Sequence, residues 1–402
     1  DLEVIAVIGT NGKSSVTHYI AALSEALGTP AGLVGTLGVG RPGELSDSGL
    51  TTPGPLALQA TLGELAQQGV KRVALEASSH ALDQYRLEAV NVSVGVFTNL
   101  TRDHLDYHGS MAAYAASKAK LFRRSELSLA VVNGDDPLAR LMLAGASSRV
   151  RVLATGQDEA VTLRVLDWQA FEQGQQAMIA TPDGEKMLRL TLMGRFNLDN
   201  VLLAMAVLYG LGESLDALFD AATTLSPVPG RMERYGDVGA PSVVVDYAHT
   251  PDALQSALQA LRAHLGDAGK LWCVFGCGGE RDTGKRAEMA RAAEQLADHI
   301  VVTDDNPRNE SAAQIREQIL SGFSTVVQPI EIAERREAVA AAIQQAGAQD
   351  VVLIAGKGHE AYQEIQGVRH PYAVAKRFSA PLPSGKRSNA LGSWSSGRGA
   401  RH

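Results

Sequence analysis

The sequence predicts an α/β protein of two successive domains, a P-loop-type, mostly parallel sheet followed by a Rossmann-like α/β unit. Three observations predict it. Apolar runs short enough for buried strands alternate with amphipathic stretches along most of the chain. The first run, Val4–Ile8, ends in Gly9-Thr10-Asn11-Gly12-Lys13-Ser14-Ser15, a glycine-rich turn that opens an Ala-rich helix. The segment Ser226-Pro227-Val228-Pro229-Gly230-Arg231 breaks the alternation, which then restarts.

In the first unit, residues 1–226, strands are expected at Val4–Ile8, Arg72–Leu75, Val92–Thr98 and Leu129–Asn133. Residues 150–194 carry shorter alternating stretches, Val161–Val165, Met178–Ala180 and Leu188–Leu192, with the turn Pro182-Asp183-Gly184. They read as a small antiparallel addition to the sheet. Helices at Leu198–Tyr209 and Leu215–Ala222 follow. Residues 227–231 read as a linker. The second unit, residues 232–378, repeats the alternation with strands at Ser242–Asp246, Leu271–Phe275, Ile300–Thr303 and Val351–Ala355. Residues 379–402 are rich in Ser, Gly and Arg without apolar periodicity and are expected to be disordered.

Composition narrows the class. A hydrophobic content of 45% and a charged content of 20% over 402 residues suit two or three globular domains. No apolar run approaches the ~20 residues that span a bilayer, and no signal peptide is visible. The two cysteines, Cys273 and Cys277, have no partners at zinc-like spacing and read as buried free thiols of a cytoplasmic protein. Net charge is −7, yet beyond Glu364 the chain has seven Lys or Arg and no acid. The preceding body therefore carries about −14, which argues against a nucleic-acid partner.

The chemistry concentrates after strands. Backbone N–H groups of a Gly-rich turn at a helix start can cradle phosphate, Lys13 supplies a point charge, and the Ser14 hydroxyl can hold Mg²⁺. The usual phosphate-loop pattern would put glycine at position 7, where this chain has Val7. Glu76, in Glu76-Ala77-Ser78-Ser79-His80, follows a strand and so lies at the rim where α/β sheets bind ligands, in reach of the same Mg²⁺. The run Asn99–Gly109 also follows a strand, and its His104 is a candidate ligand for a second metal; a solvated polar loop would look the same. Lys118 and Lys120 lie two apart on a helix and point to different faces, so one should meet solvent. The residues alone do not say which.

Together with Gly194-Arg195-Phe196-Asn197, Asn200 and Asp246-Tyr247-Ala248-His249-Thr250-Pro251, these motifs resemble those of the ATP-dependent Mur ligases, which build the peptide stem of peptidoglycan. Asp305-Asn306-Pro307-Arg308 is similar to the amino-acid recognition motif of the members that add meso-diaminopimelate. The resemblance covers about residues 3–372. It implies an ADP-forming ligase that joins meso-diaminopimelate to UDP-N-acetylmuramoyl-L-alanyl-D-glutamate through an acyl phosphate. The family's plan opens with a domain that grips the uridine, and the resemblance implies that this part lies outside the present sequence.

Residue roles follow from the same resemblance. Gly9, Thr10, Asn11, Gly12, Lys13 and Ser14 would bind the phosphates of ATP, with Asn197 and His249 near the nucleotide. Ser14 and Glu76 would hold one Mg²⁺; Glu76, His104 and a carbamylated Lys118 would hold a second. Lys13, Glu76, His104 and Lys118 form the implied catalytic set. Thr51, Thr52, Ser78, Gln84 and Arg86 match positions that bind the UDP-muramoyl dipeptide. Arg281, Asp305, Asn306, Pro307, Arg308, Gly356 and Glu360 match those that bind diaminopimelate, whose free end suits the planar fork of Arg308 and the counter-charge of Glu360. The expected partners are these small molecules, taken up by a monomer. A lysine-adding homologue, a folylpolyglutamate synthase-like ligase and a non-catalytic nucleotide-binding module stand as alternatives.

Overall fold

The computed structural model describes residues 2–101 and 109–372. They build two large sheets in succession. The first contains β1 (Glu3–Ile8), β2 (Ala31–Gly35), β3 (Gly38–Arg41), β4 (Glu44–Ser46), β5 (Arg72–Glu76) and β6 (Val92–Phe97). It continues with β7 (Leu129–Asn133), β8 (Arg151–Gly156), β9 (Leu163–Phe171), β10 (Gly174–Thr181) and β11 (Gly184–Leu190). Their spatial order is β11-β10-β9-β8-β7-β6-β1-β5-β2-β3-β4. Strands from β9 through β8, β7, β6, β1 and β5 to β2 pair in parallel, and both margins are antiparallel.

From Val4 to Ile8, β1 is apolar without a break because both of its faces are covered. Ile5 and Val7 pack with Val16, Tyr19 and Ile20 of the helix Lys13–Ala26 and with Val201 and Met205 of the helix Arg195–Gly210. Val4, Ala6 and Ile8 face the other way, onto a core that includes Leu58, Leu62 and Leu65 of the helix Pro55–Gln67. The period of two is that of a strand.

The second sheet holds β12 (Glu233–Tyr235), β13 (Ser242–Asp246), β14 (Leu271–Phe275), β15 (His299–Val302), β16 (Ile330–Glu331) and β17 (Val351–Ala355) in the order β12-β13-β17-β14-β15-β16. All its pairs but β12–β13 are parallel. A hairpin of β18 (Tyr362–Ile365) and β19 (Val368–Pro371) follows. Among the described residues no helix is long and apolar enough to cross a membrane.

The expected antiparallel addition is present as β9, β10 and β11, while β2, β3, β4 and β8 extend the sheet beyond the sequence reading. The expected linker is fastened rather than loose. Val228 lies in the first core, and the Gly230 N–H donates to Glu233 Oε2 at 2.9 Å. Gly230 has φ +70°, and a Cβ there would stand 2.2 Å from the backbone N of His359, so only glycine permits this approach. Met193 and Phe196, assigned by sequence to the first unit, pack with the second unit's core instead. Beside them, His264 accepts from the Gly194 N–H through Nε2 at 2.9 Å, which leaves Nδ1 to donate to the Phe171 carbonyl at 2.6 Å. Residues 379–402 lie outside the described residues.

Candidate active site

β1 is flanked by β5 on one side and β6 on the other, so chain connections diverge there and leave a crevice at the carboxyl ends of the three strands. The turn after β1 fills it. Thr10 N–H donates to the Asn99 carbonyl at 2.9 Å, and Asn11 N–H to Asn99 Oδ1 at 2.9 Å. Thr98 Oγ1 and Asn99 Nδ2 return bonds to the Asn11 carbonyl at 2.7 and 3.0 Å. The turn is thus held by the residues after β6. Gly12 caps the helix Lys13–Ala26 with φ 89°, and a Cβ there would meet Asn200 Oδ1 at 2.6 Å. Lacking a side chain, it offers no cap to the first-turn N–H groups, which leaves that helix end suited to an anion.

Two lysines converge on this turn. Lys13 Nζ donates to the Gly9 carbonyl at 2.7 Å, and Lys118 Nζ to the same carbonyl at 2.9 Å. Two ammonium groups around one neutral oxygen make a strongly positive mouth. Lys118 is 1% exposed and stands over the Tyr114 ring, whose hydroxyl is 3.2 Å from Thr10 Oγ1. Lys120 is the one that reaches solvent, paired with Asp83 at 3.2 Å.

Glu76, at the end of β5, is 1% exposed. Oε1 accepts from Ser14 Oγ at 2.8 Å and from Thr36 N–H at 3.1 Å, and Oε2 accepts from Thr36 Oγ1 at 3.0 Å. These donors are all neutral. A buried carboxylate touching a serine hydroxyl at the mouth of an anion-binding turn is a hard oxygen donor set of the kind Mg²⁺ prefers, and substrate phosphates can complete it. Lys118 as an ammonium is a donor and does not suit a metal; only conversion to a carbamate would make it a ligand. His104 lies outside the described residues.

A ledge continues from Glu76. Thr52 Oγ1 donates to the Glu76 carbonyl at 2.6 Å and accepts from Ser78 N–H at 3.1 Å. Arg86 donates to the Thr52 carbonyl at 2.8 Å and, through Nε and Nη2, to Gln84 Oε1 at 3.0 and 2.6 Å. Thr51 Oγ1 lies 3.1 Å from Thr36 Oγ1. All five residues read from sequence for the dipeptide therefore join one hydrogen-bonded cluster beside Glu76, with Thr52 buried at its centre.

The carboxyl ends of β15 and β17 build a second cluster. Asp305, Asn306 and Pro307 are buried, and Asn306 Oδ1 accepts from Lys357 Nζ at 2.7 Å and from Glu364 N–H at 2.9 Å. Its Nδ2 then faces Glu360 Oε2 at 3.3 Å. Gly356 closes against Asp305, whose Oδ2 would be 2.6 Å from a Cβ there. Arg308 donates through Nη1 to the Gly279 carbonyl at 2.8 Å, with Nε 3.7 Å from Glu364 Oε2. Its backbone N–H donates to the Glu364 carbonyl of β18 at 3.0 Å and its carbonyl accepts from the Gln366 N–H, just past β18, at 2.7 Å, with φ 51°. Arg281 is exposed on the loop after β14.

Two nucleotide-side candidates are differently placed. Asn197 is buried with both ends of its amide satisfied internally, by the Tyr19 hydroxyl at 2.9 Å and the Met193 carbonyl at 2.8 Å. His249 is exposed, its Nδ1 2.8 Å from the Tyr247 carbonyl. Arg231 stacks on Tyr247 with its guanidinium carbon 4.5 Å from the ring centroid. Burial, then the Arg231 charge, pull His359 down to about 4, and the same causes in the same order pull His18 down to about 4. Burial pushes the Asp246 carboxyl up, while Arg231 acts against it. The linker arginine therefore faces both units. Sequence reading passed over Thr36, Lys357 and Glu364; Thr36 follows the unread β2, and Lys357 sits inside the string Gly356–Glu360.

Known proteins share this plan. Residues 7–208 match the Mur ligase middle domain, and residues 230–358 match the Mur ligase glutamate ligase domain. A UDP-N-acetylmuramoyl-L-alanyl-D-glutamate–2,6-diaminopimelate ligase of Pseudomonas aeruginosa is 49% identical over 381 residues, covering 95% of this chain and 78% of that protein. A ligase of the same name from Xanthomonas campestris is 48% identical over 386 residues, 94% of this chain and 78% of its own length. A solved structure bearing that name matches with a TM-score of 0.71 and 40% identity over 92% of this chain and 76% of its own. The folylpolyglutamate synthase of Mycobacterium tuberculosis, solved with ADP and AMPPCP, reaches the same TM-score of 0.71 at 22% identity over 89% of this chain and 88% of its own, a likeness of fold alone. The chain belongs to the Mur ligase family.

Proposed function

We propose that this protein catalyses ATP-dependent joining of meso-diaminopimelate to the glutamyl carboxylate of UDP-N-acetylmuramoyl-L-alanyl-D-glutamate, releasing ADP and phosphate, in peptidoglycan synthesis. The observation that carries the reading is near-half identity to ligases of that name over 95% of this chain. The glutamyl carboxylate attacks the γ-phosphorus of ATP and ADP leaves, giving an acyl phosphate. The amine of diaminopimelate then attacks the acyl carbon, phosphate departs, and the amine loses a proton.

Residues 1–226 would supply the nucleotide unit and 232–378 the acceptor unit, joined at 227–231. Gly9 to Ser14 would hold the phosphates, with the N–H groups of Thr10 and Asn11 kept on Asn99 and the helix start at Lys13 turned to the anion, and Lys13 would follow the charge of the outer ones. Ser14 and Glu76 would hold Mg²⁺, which when bound offsets charge on the transferring phosphoryl group. Lys118, carbamylated, would join Glu76 and His104 in holding a second ion. Thr51, Thr52, Ser78, Gln84 and Arg86 would grip the dipeptide, and Arg281, Asp305 to Arg308, Gly356 and Glu360 the amino acid. Asn197 would serve the nucleotide from within the fold, by tying Tyr19 of the phosphate helix to the Met193 carbonyl, and His249 would face the nucleotide. The protein would work in the cytoplasm, as a monomer and without nucleic acid.

The test is phosphate release from MgATP. Release should require both the UDP-muramoyl dipeptide and meso-diaminopimelate; equal release with lysine in place of diaminopimelate would refute the acceptor assignment.

A further inference from the structure

One buried cation has no part in the reading above. Lys357, just past β17, is 1% exposed, yet its ammonium meets three groups of the acceptor cluster at once. Nζ lies 2.7 Å from Asn306 Oδ1, 3.3 Å from Asp305 Oδ1 and 3.4 Å from Glu360 Oε2. The Tyr362 and Tyr372 rings close over it, each centroid 5.9 Å away. Burial pulls this lysine below the usual ammonium range, and Asp305 and Glu360 pull it back.

Two consequences follow from that placement. Asp305 and Glu360 are like charges held in one pocket, and the ammonium between them removes the reason for them to part. Asn306 is fixed in one of its two amide orientations, because its oxygen takes both the ammonium and the Glu364 N–H. The amide N–H₂ is then directed at Glu360 Oε2. Lys357 and Asn306 both engage that oxygen, and neither engages Oε1.

We propose that Lys357 is a positioning residue for acceptor selection: it pins Glu360 and Asn306 so that Glu360 offers an oxygen to an ammonium at the far end of a diamino acid. The proposal rests on the acceptor reading given above. Lys357 itself touches no reacting atom. Its loss should therefore appear in recognition of the distal ammonium, with the nucleotide half-site unaffected.

The experiment uses Lys357→Met and Lys357→Arg in the intact protein, with meso-diaminopimelate and with 2-aminopimelate, which keeps the distal carboxylate and lacks the distal ammonium. The methionine variant should raise KM for meso-diaminopimelate by about tenfold or more, with KM for ATP within about twofold. The ratio of kcat/KM for the two acceptors, measured on one preparation and so independent of the folded fraction, should collapse toward one. Lys357→Arg, which keeps the charge, should recover part of that ratio. If the parent turns over meso-diaminopimelate and the methionine variant keeps the parent's ratio, the positioning role is wrong. A parent that makes no product with meso-diaminopimelate overturns the acceptor reading and this proposal with it.

Discussion

Arg308→Ala is the sharpest probe of the acceptor assignment, and the structure sets its scale. Truncating one partner of a buried, hydrogen-bonded charge pair costs roughly 2–5 kcal/mol. Here the guanidinium is not wholly dry, with 20% of the side chain exposed, and it is already shared between the Gly279 carbonyl and Glu364. The loss should therefore sit near the low end, about 2–3 kcal/mol, which is about 30- to 150-fold in KM for meso-diaminopimelate. KM for ATP should hardly move. Lysine, without a distal carboxylate, should serve the parent poorly and the variant no worse.

A backbone control separates binding from folding. Arg308 has φ 51°, a left-handed conformation that any Cβ makes strained, and alanine keeps the Cβ. Arg308→Gly removes that strain, about 1 kcal/mol, while losing the same fork. The glycine variant should melt no lower than the alanine variant and show the same KM defect. Steady-state kinetics with both acceptors and thermal melts of all three proteins decide the matter. An unchanged KM for meso-diaminopimelate, or an equal loss with lysine, would make Asp305–Arg308 a structural turn and refute the clamp.

Two further outcomes follow from the first unit and the joint. Lys118→Ala should abolish ligation while MgATP still binds through Gly9–Ser14, whereas Lys120→Ala, at a solvent-facing ion pair, should stay within about twofold of the parent; equal effects of the two would deny Lys118 its role. Acid should destabilise the fold above the carboxylate range: burial holds His18 and His359 down at about 4 and pulls His264 below 6.5. A depressed folded-state value means stability is fully present above pH 6.5 and is lost as pH falls toward the folded value. Melting temperature should thus drop between pH 6.5 and 5, with a shallower slope in a His18→Asn, His264→Asn double variant; a flat profile in the parent would contradict these assignments.

How much of this was legible in the sequence depends on where the signal lay. β1, β7, β14 and β17 are parallel strands buried on both faces, and continuous apolar runs with turns behind them mark such strands within a residue or so. β2 and β3 escaped because Gly32, Gly35, Gly38 and Gly40 replace the side chains whose alternation would have shown them. Glu76 was legible as an acid at a strand end. Thr36, which donates to it twice, was not, since its place depends on β2 pairing with β5. Lys118 and Lys120 are the same residue type on one helical segment, and only tertiary packing tells the buried one from the exposed one. The His264 bridge joins Gly194 and Phe171 across 70 and 93 residues, a separation that no local pattern encodes.

The geometry of the joint bears on how the proposed reaction could be assembled. Phosphoryl transfer and amine attack draw on the rims of two different sheets, so one unit must be able to approach the other. The linker leaves few residues free to do this. Val228 is anchored in the first core, and Gly230 is pressed against Gly358 and His359 of the second unit. Between these anchors only Pro229 remains, and proline holds φ nearly fixed. Arg231 lies over Tyr247 and, second to burial, lowers both His18, on the phosphate-loop helix, and His359, beside the acceptor loop. Any change in the angle between the units therefore changes the surroundings of this one guanidinium, and through it the electrostatics of both half-sites.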